Sequence, residues 1–226
     1  MKAIILGAGC GARLDRNIPK PMVLLRENVT ILDLQLRSLA KTIPIKDVLV
    51  VVGFRRQLIE KQYPALEYVY NDNYASTNTA TSLLIGLQGI RNEDVLWLNG
   101  DLVFDPRILM PLAHNMLRNL VWVNTSKVGE EEVRYSLDRE SRIKEISKSV
   151  KRSLGEAVGM NFIKKSDLGV FRSCLKECSD LDYFERAIEL AINKGLRFWP
   201  ANIEESLCIE VDFEEDLQKA RDFVTG

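Results

Sequence analysis

The chain is poor in the residues that usually advertise a catalytic or metal centre. It has one histidine, His114, in 226 residues. That histidine falls in a stretch of amphipathic helical pattern, where a solvated or partly buried imidazole is the ordinary occupant, so chemistry that needs an imidazole base is disfavoured. The four cysteines, Cys10, Cys174, Cys178 and Cys208, show no CxxC spacing. Cys174 and Cys178 lie one helical turn apart, and the set reads as reduced thiols rather than a zinc site or a disulfide framework. Long apolar runs are missing too. Ala3-Ile4-Ile5-Leu6 stops at Gly7, too short for a signal-peptide core or a membrane span, so a cytoplasmic protein without a membrane partner is expected. Charge of one sign is also lacking: 31 basic and 32 acidic residues leave a formal net charge of −1. No electrostatic footprint of a nucleic-acid binder results, and small molecules are the expected partners, with a homo-oligomer left open.

With 46% hydrophobic and 28% charged residues, the chain can bury one substantial core, and residues 1–226 are expected to form one domain. Short apolar runs alternate with segments of helical period, the pattern of a mostly parallel sheet covered by helices. Lys2 to Leu6, Val48 to Val52, Tyr68 to Tyr70, Val95 to Leu98 and Leu120 to Val123 read as strands. Thr30-Ile31-Leu32-Asp33 fits a capping box, with Ile31, Leu32, Gln35, Leu36 and Leu39 following at helical spacing. Asp105-Pro106 opens another helix, with Asp as cap and Pro at the first helical position. From about residue 126 to 165 the texture changes. Val133, Tyr135 and Leu137 alternate before a turn at Asp138 to Ser141 and a short strand near Ile143, which reads as a hairpin excursion. Arg142, Lys144, Lys148, Lys151 and Arg152 form a basic run there, suited equally to a solvated face and to phosphate binding. A helix near Leu181 to Asn193, strands around Leu196 to Trp199 and Leu207 to Val211, and a terminal helix from Phe213 complete the pattern.

The first strand runs into Gly7-Ala8-Gly9-Cys10-Gly11-Ala12-Arg13-Leu14, a loop whose backbone N–H groups can face an anion without Cβ interference. Gly7-x-Gly9-x-x-Ala12 satisfies the dinucleotide fingerprint of an oxidoreductase. That reading needs an immediate helix and an acid closing the second strand. Pro19 and Pro21 prevent the helix, and the second strand ends in Gly53-Phe54. Arg13 and Lys20 beside the glycines suit a triphosphate and the charge that builds on departing pyrophosphate. Asp101 follows the apolar strand Leu96-Trp97-Leu98-Asn99-Gly100 at the carboxyl edge, where open α/β sheets bind ligands. A lone Asp there is more often a turn former. Asp212 ends a second such strand, Cys208-Ile209-Glu210-Val211, and also fits a cap for the terminal helix. Two separated carboxylates suit an octahedral Mg²⁺ that keeps waters and takes phosphate oxygens. In Asn71-Asp72-Asn73-Tyr74-Ala75-Ser76-Thr77-Asn78-Thr79-Ala80-Thr81-Ser82-Leu83, the stripe Ala80, Leu83, Leu84 and Leu87 puts Asn78 and Ser82 together on the opposite face, with a helix cap as the plainer role for Asn78.

These motifs carry a resemblance. Leu6 to Leu14 with Pro19-Lys20-Pro21-Met22 resembles the LAAGxGxRL and PKPL signature of the nucleotidyltransferase superfamily that makes nucleotide sugars and CDP-alcohols, departing at Gly7, where Ala is usual. The resemblance implies a three-layer, Rossmann-like, mostly parallel mixed sheet with a small β-hairpin excursion, and Mg²⁺ as cofactor on Asp101 and Asp212. Glu210 to Leu217 resembles the closing D-x-x-E-D-L element. It further implies nucleotide contacts from Leu6, Gly7, Ala8, Gly9, Cys10, Gly11, Ala12, Arg13 and Lys20. The Asn71 to Ser82 stretch resembles the N-x-x-Y-x-x-x-N-x-x-x-S pattern of the choline-phosphate cytidylyltransferase-like branch, implying CTP, a phosphoalcohol acceptor and nucleotide contacts from Asn78 and Ser82. Gly155-Glu156-Ala157-Val158-Gly159 resembles the G-E-x-x-G segment whose Glu lines the acceptor pocket, and Lys148 resembles the lysine that meets the acceptor phosphate. Tyr183 and Glu185 have the aromatic and acidic character of a pocket for an ammonium group, although the core stripe Phe184, Ala187, Ile188 and Ala191 would put Asp182, Glu185 and Glu189 on an ordinary polar face. The expected reaction is transfer of CMP from CTP to a small phosphorylated alcohol such as choline phosphate, with Arg13, Lys20 and Asp101 as catalytic residues. Sugar-1-phosphate or inositol-1-phosphate transfer with CTP or UTP, and a non-catalytic nucleotide-binding regulator, are the alternatives.

Overall fold

A computed structural model describes residues 1–11, 14, 17–115, 117–125, 132–203 and 208–225, the side chains of residues 113–115 and 225 excepted. The strands of the first half are β1 (Lys2–Gly7), β2 (Leu24–Arg26), β3 (Val29–Thr30), β4 (Val48–Val52), β5 (Glu67–Tyr70), β6 (Val95–Asn99) and β7 (Leu102–Phe104). Interleaved with them are α1 (Ile31–Leu39), α2 (Arg56–Gln62) and α3 (Thr79–Gly86). After α4 (Met110–Asn115) come β8 (Asn119–Asn124), β9 (Arg134–Leu137), β10 (Ile143–Ser147), β11 (Gly155–Ile163), α5 (Leu168–Glu177), α6 (Phe184–Asn193), β12 (Phe198–Ile203), β13 (Cys208–Glu210) and α7 (Glu214–Thr225).

The main sheet has nine strands. It runs β10-β9-β11-β6-β1-β4-β5, with β8 pairing β11 and β12 pairing β8. β1 lies parallel to β4 and β6, β4 to β5 and β8 to β12, while β11 runs antiparallel to β6, β8 and β9. The expected mixed, mostly parallel sheet is what the chain builds.

Alternation along the strands splits the core into two layers, because successive side chains point to opposite faces of a sheet. Ile4, Val51, Trp97 and Val121 face α3, α5 and α6, whereas Ala3, Ile5, Val50 and Leu98 face α1, α2 and the helical segment ending in α4. Trp97 stacks on Phe171 with ring centroids 5.2 Å apart and meets Phe184 edge-on at 5.9 Å. A third apolar cluster seats α7: Leu217 and Ala220 pack with Val23, Leu25, Ile31 and Val211.

The predicted start of α1 is realised as a full capping box: Thr30 Oγ1 accepts from the Asp33 N–H and the Asp33 carboxylate accepts from the Thr30 N–H. Such a cap contributes about 1 kcal/mol. Asp105 likewise accepts from the Arg107 N–H at 2.7 Å, ahead of a 3₁₀ turn over Pro106–Leu109. The His114 side chain is outside the described residues.

Within the expected excursion β9 and β10 form a hairpin at one end of the main sheet; its turn is closed by Asp138, which holds the Arg142 guanidinium at 2.7 Å. β11 lies inside the same sheet, paired with β6, β8 and β9. Two helices, α2 and α5, were not expected from the sequence. The helix expected from Leu181 starts at Phe184, the strand expected from Leu196 starts at Phe198, and the strand expected from Leu207 to Val211 is not a strand of the main sheet: β13 pairs antiparallel with β7 in a separate ribbon. Among the described residues no helix is long and apolar enough to cross a membrane.

Candidate active site

The carboxyl ends of β1 and β6 open onto a cavity of about 1030 Å³, the upper end of the range for small-molecule sites. Leu6, Gly7, Gly9 and Gly11 line one wall with Lys20. Ala8, between them, is buried, and its carbonyl accepts from the Phe54 N–H at 3.0 Å, which ties the loop to the end of β4. Cys10 is exposed. Gly11 has φ +60°, and a Cβ on it would lie 2.8 Å from Lys20 Cγ. Glycine is therefore what lets the Lys20 side chain cross the loop. Ala12 and Arg13 lie outside the described residues.

The carboxylates meet by a route the strand pattern did not suggest. Gly100 N–H donates to the Leu6 carbonyl at 2.9 Å, fastening the β6 turn to β1 and leaving Asp101 at the cavity floor. The chain then enters β7, which pairs antiparallel with β13 so that Leu102 faces Glu210. Val211 N–H donates to the Asp101 carbonyl at 3.1 Å. This two-stranded ribbon, rather than a second parallel strand, carries Asp212 to Asp101.

Lys20 stands between them. Its ammonium donates to Asp101 Oδ2 at 2.9 Å and to Asp212 Oδ1. Desolvation pulls the ammonium pKa down, but the charges and hydrogen bonds of Asp101 and Asp212 outweigh it and hold the group well above its ordinary value. Asp101 Oδ1 is buried without a hydrogen-bond partner. A buried acceptor left unmade is costly, and a carboxylate oxygen so placed is suited to a cation. Among the described residues no three His, Cys, Asp or Glu side chains group so as to hold a metal ion. Two carboxylates with one oxygen unpartnered make an oxygen donor set of the kind that hard divalent cations take together with phosphate oxygens and water.

Glu210 is a cavity residue that the sequence reading missed. Asn99 Nδ2 donates to its Oε1 at 3.4 Å, and burial together with the charges of Asp101 and Asp212 raises its pKa well above the usual carboxylate range. Its alternation with Asp212 along the ribbon was a signal, obscured because the strand was assigned to the wrong sheet.

The far wall comes from β11, the hairpin and the start of α6. Glu156, Lys148, Tyr183 and Glu185 all line it. Gly159 has φ +72°, and a Cβ there would lie 2.5 Å from Asn99 Nδ2, so β11 can pass close to β6 only with glycine at this position. Lys148 Nζ lies 4.9 Å from the centroid of the Tyr183 ring, a cation–π geometry. Within the basic run, Lys148 faces the cavity while Arg142 is held by Asp138 and Glu140.

Glu185 corrects the expectation of an ordinary polar face. It is 7% exposed, set in the cavity wall at the first turn of α6. Burial, the largest influence, pushes its pKa up to about 7 against the opposing pull of its own backbone N–H and of Lys148.

Asn78 and Ser82 do not turn to the cavity. Asn78 caps α3, accepting from the Thr79 N–H at 2.8 Å, and its Nδ2 donates to the Leu181 carbonyl at 3.3 Å. Ser82 is buried and accepts from Asn71 Nδ2 at 3.0 Å. Thr79, between them, is the residue that lines the cavity, and its hydroxyl accepts from the Phe184 N–H at 3.0 Å. The polar residues of this stretch stitch the start of α3 to the start of α6.

A glycine-rich loop at a β1 edge, an acidic pair beside it and a deep cavity opposite define an α/β nucleotidyltransferase-type domain. A family model described as the MobA-like NTP transferase domain matches residues 3–167, and the chain belongs to that family. Among curated proteins it is 33% identical over 101 residues to a choline-phosphate cytidylyltransferase of Streptococcus pneumoniae (strain ATCC BAA-255 / R6), covering 42% of this chain and 43% of that protein. It is 31% identical over 122 residues to a CMP-5'-(3-aminopropyl)phosphonate synthase of Streptomyces rubellomurinus (strain ATCC 31215), covering 50% of this chain but 19% of that one. Among solved structures, the inositol-1-phosphate CTP transferase from T. maritima superposes with a TM-score of 0.83 at 20% identity, covering 99% of this chain and 94% of that one, a likeness of fold.

Proposed function

We propose that the protein transfers a nucleotidyl group, CMP from CTP, to a small phosphorylated alcohol and releases pyrophosphate. An oxygen of the acceptor phosphate attacks the α-phosphorus in line. One P–O bond forms as the bond to the β-phosphate oxygen breaks, and pyrophosphate leaves with the electron pair. The nucleophile is already anionic, so the step needs neither a protein nucleophile nor a strong base, in keeping with a chain that has one histidine. Catalysis is positioning and charge stabilisation.

The observation that carries this reading is the convergence of Lys20, Asp101 and Asp212 beside the glycine loop, with Asp101 Oδ1 buried and unpartnered. Asp101 and Asp212 would hold Mg²⁺, which supplies charge neutralisation at the phosphates. Lys20, with Arg13 of the glycine loop, stabilises the departing pyrophosphate. The glycines from Gly7 to Gly11 admit the triphosphate close to the backbone, while Asn78 and Ser82 serve by fixing the start of α3, whose first residue is Thr79.

On the acceptor side Lys148 is assigned to the acceptor phosphate, and Glu156, Tyr183 and Glu185 to the remainder of the molecule. Choline phosphate suits the aromatic and acidic character of Tyr183 and Glu185. The carboxylates of Glu156 and Glu185, as hydrogen-bond acceptors at one wall, favour as a second reading a hydroxyl-bearing acceptor such as inositol-1-phosphate or a sugar-1-phosphate, with CTP or UTP.

Pyrophosphate release with Mg²⁺, each nucleoside triphosphate and a panel of choline phosphate, inositol-1-phosphate and glucose-1-phosphate tests both readings. Release with one pair supports the class and names the acceptor. Silence across the panel with CTP binding intact would favour a non-catalytic nucleotide-binding protein.

A further inference from the structure

Lys20 lies where the proposed function puts a divalent cation, and its placement gives it a second role. It opens a short 3₁₀ turn, Lys20–Met22, and is flanked by Pro19 and Pro21, whose rings fix the local backbone. Its side chain crosses the loop over Gly11 and ends on Asp101 and Asp212. The ammonium is thus tethered to the carboxylates it neutralises. A tethered group competes at an effective concentration in the millimolar range, comparable with or above that of free metal. Mg²⁺ sheds its waters reluctantly and gains most where phosphate oxygens join the carboxylates. Displacing Lys20 without a phosphate to receive it would leave a partly buried ammonium unpaired.

We propose that Lys20 is the resident counter-cation of the Asp101–Asp212 pair: it excludes divalent metal from the nucleotide-free protein, and the triphosphate draws it away, so that metal enters with the nucleotide and not before it. In the exchange the ammonium moves from carboxylate to phosphate as the metal takes its place, and the negative charge of the triphosphate offsets the additional positive charge. Lys20 reaches both partners from one position, since it lines the cavity together with Gly9 and Gly11. The inference rests on the reading of Asp101 and Asp212 as the metal-holding pair.

Mn²⁺ titration followed by the electron paramagnetic resonance signal of the free ion, on full-length protein without nucleotide, tests it. Lys20→Met is expected to bind Mn²⁺ at least about tenfold more tightly than wild type, and Lys20→Arg, which keeps the cation, to remain within about twofold of wild type. With α,β-methylene-CTP added, wild type is expected to take up Mn²⁺ beyond what the analogue binds alone, and Asp101→Asn to lose that uptake. Equal affinities of wild type and a folded Lys20→Met, judged by circular dichroism, would overturn the inference. So would micromolar Mn²⁺ binding by the nucleotide-free wild type, a result that does not depend on any variant folding. If Asp101→Asn keeps full uptake with the analogue present, it is the metal-pair reading that fails.

Discussion

The side of the cavity proposed for the nucleotide is made at the ends of central strands, and its charged groups are already engaged with one another: Lys20 is bonded to Asp101 and Asp212, and the glycine loop is fastened through Ala8 and Leu6 to its neighbours. The side proposed for the acceptor is made by a hairpin and the first turn of α6, and Glu185 is buried there with its pKa pushed up to about 7 while Lys148 rests on the face of Tyr183. On the proposed mechanism the first side carries chemistry that does not depend on which acceptor arrives. The second holds the side chains that would tell one acceptor from another. If this division is right, substitutions on the two sides should separate in turnover, in substrate affinity and in pH dependence.

The largest effect is expected from Asp101→Ala, a loss of about 10³-fold in kcat with the fold retained by circular dichroism. Turnover within a few-fold of wild type would remove the proposed mechanism. Lys20→Met should lower kcat by about 10²-fold with a smaller change in the KM for CTP, because its contribution grows as charge develops on pyrophosphate. On the other side, Lys148→Ala should raise the KM for the acceptor about tenfold and leave the KM for CTP unchanged. A matching rise in both would dissolve the division between the walls. The smallest effect concerns stability. The folded-state pKa of Glu185 is raised, so its favourable contribution is full below about pH 4.5 and is lost as pH rises through about 7. Glu185→Gln should then match wild type in Tm near pH 5 and exceed it by about 5 °C near pH 8.5. A constant difference across that range would mean that the carboxyl does not titrate with folding.

The same division decides what was legible in the amino-acid order. β1, β4, β6 and β8 are continuous apolar runs, and the glycine loop, Lys20 and Asp101 are local features that a reader meets within a few residues of a strand end. The capping box at Thr30 is local as well. Asp212 was legible as a residue but not by its route, since antiparallel pairing of β13 with β7 joins segments more than a hundred positions apart and leaves no periodic trace. Glu185 was misread because the helical stripe of α6 describes only its apolar contacts, whereas Glu185 is buried at the start of the helix in the wall of the cavity. Ser82 lies opposite the apolar stripe of α3, as the spacing predicts, and is buried there with its hydroxyl accepting from Asn71 Nδ2.

The β7–β13 ribbon has a consequence for biosynthesis. Asp101 takes its place with β6, but Asp212 cannot join it until the ribosome has released the segment that forms β13 and the start of α7. Since contacts between distant positions form slowly and late, a nascent chain can complete the β1–β4–β6 sheet and its glycine loop while the acidic pair is still half assembled. On the role proposed for Asp212, catalytic competence is among the last properties the chain acquires, and a polypeptide stalled before residue 208 would have the look of a nucleotide site without its means of turnover.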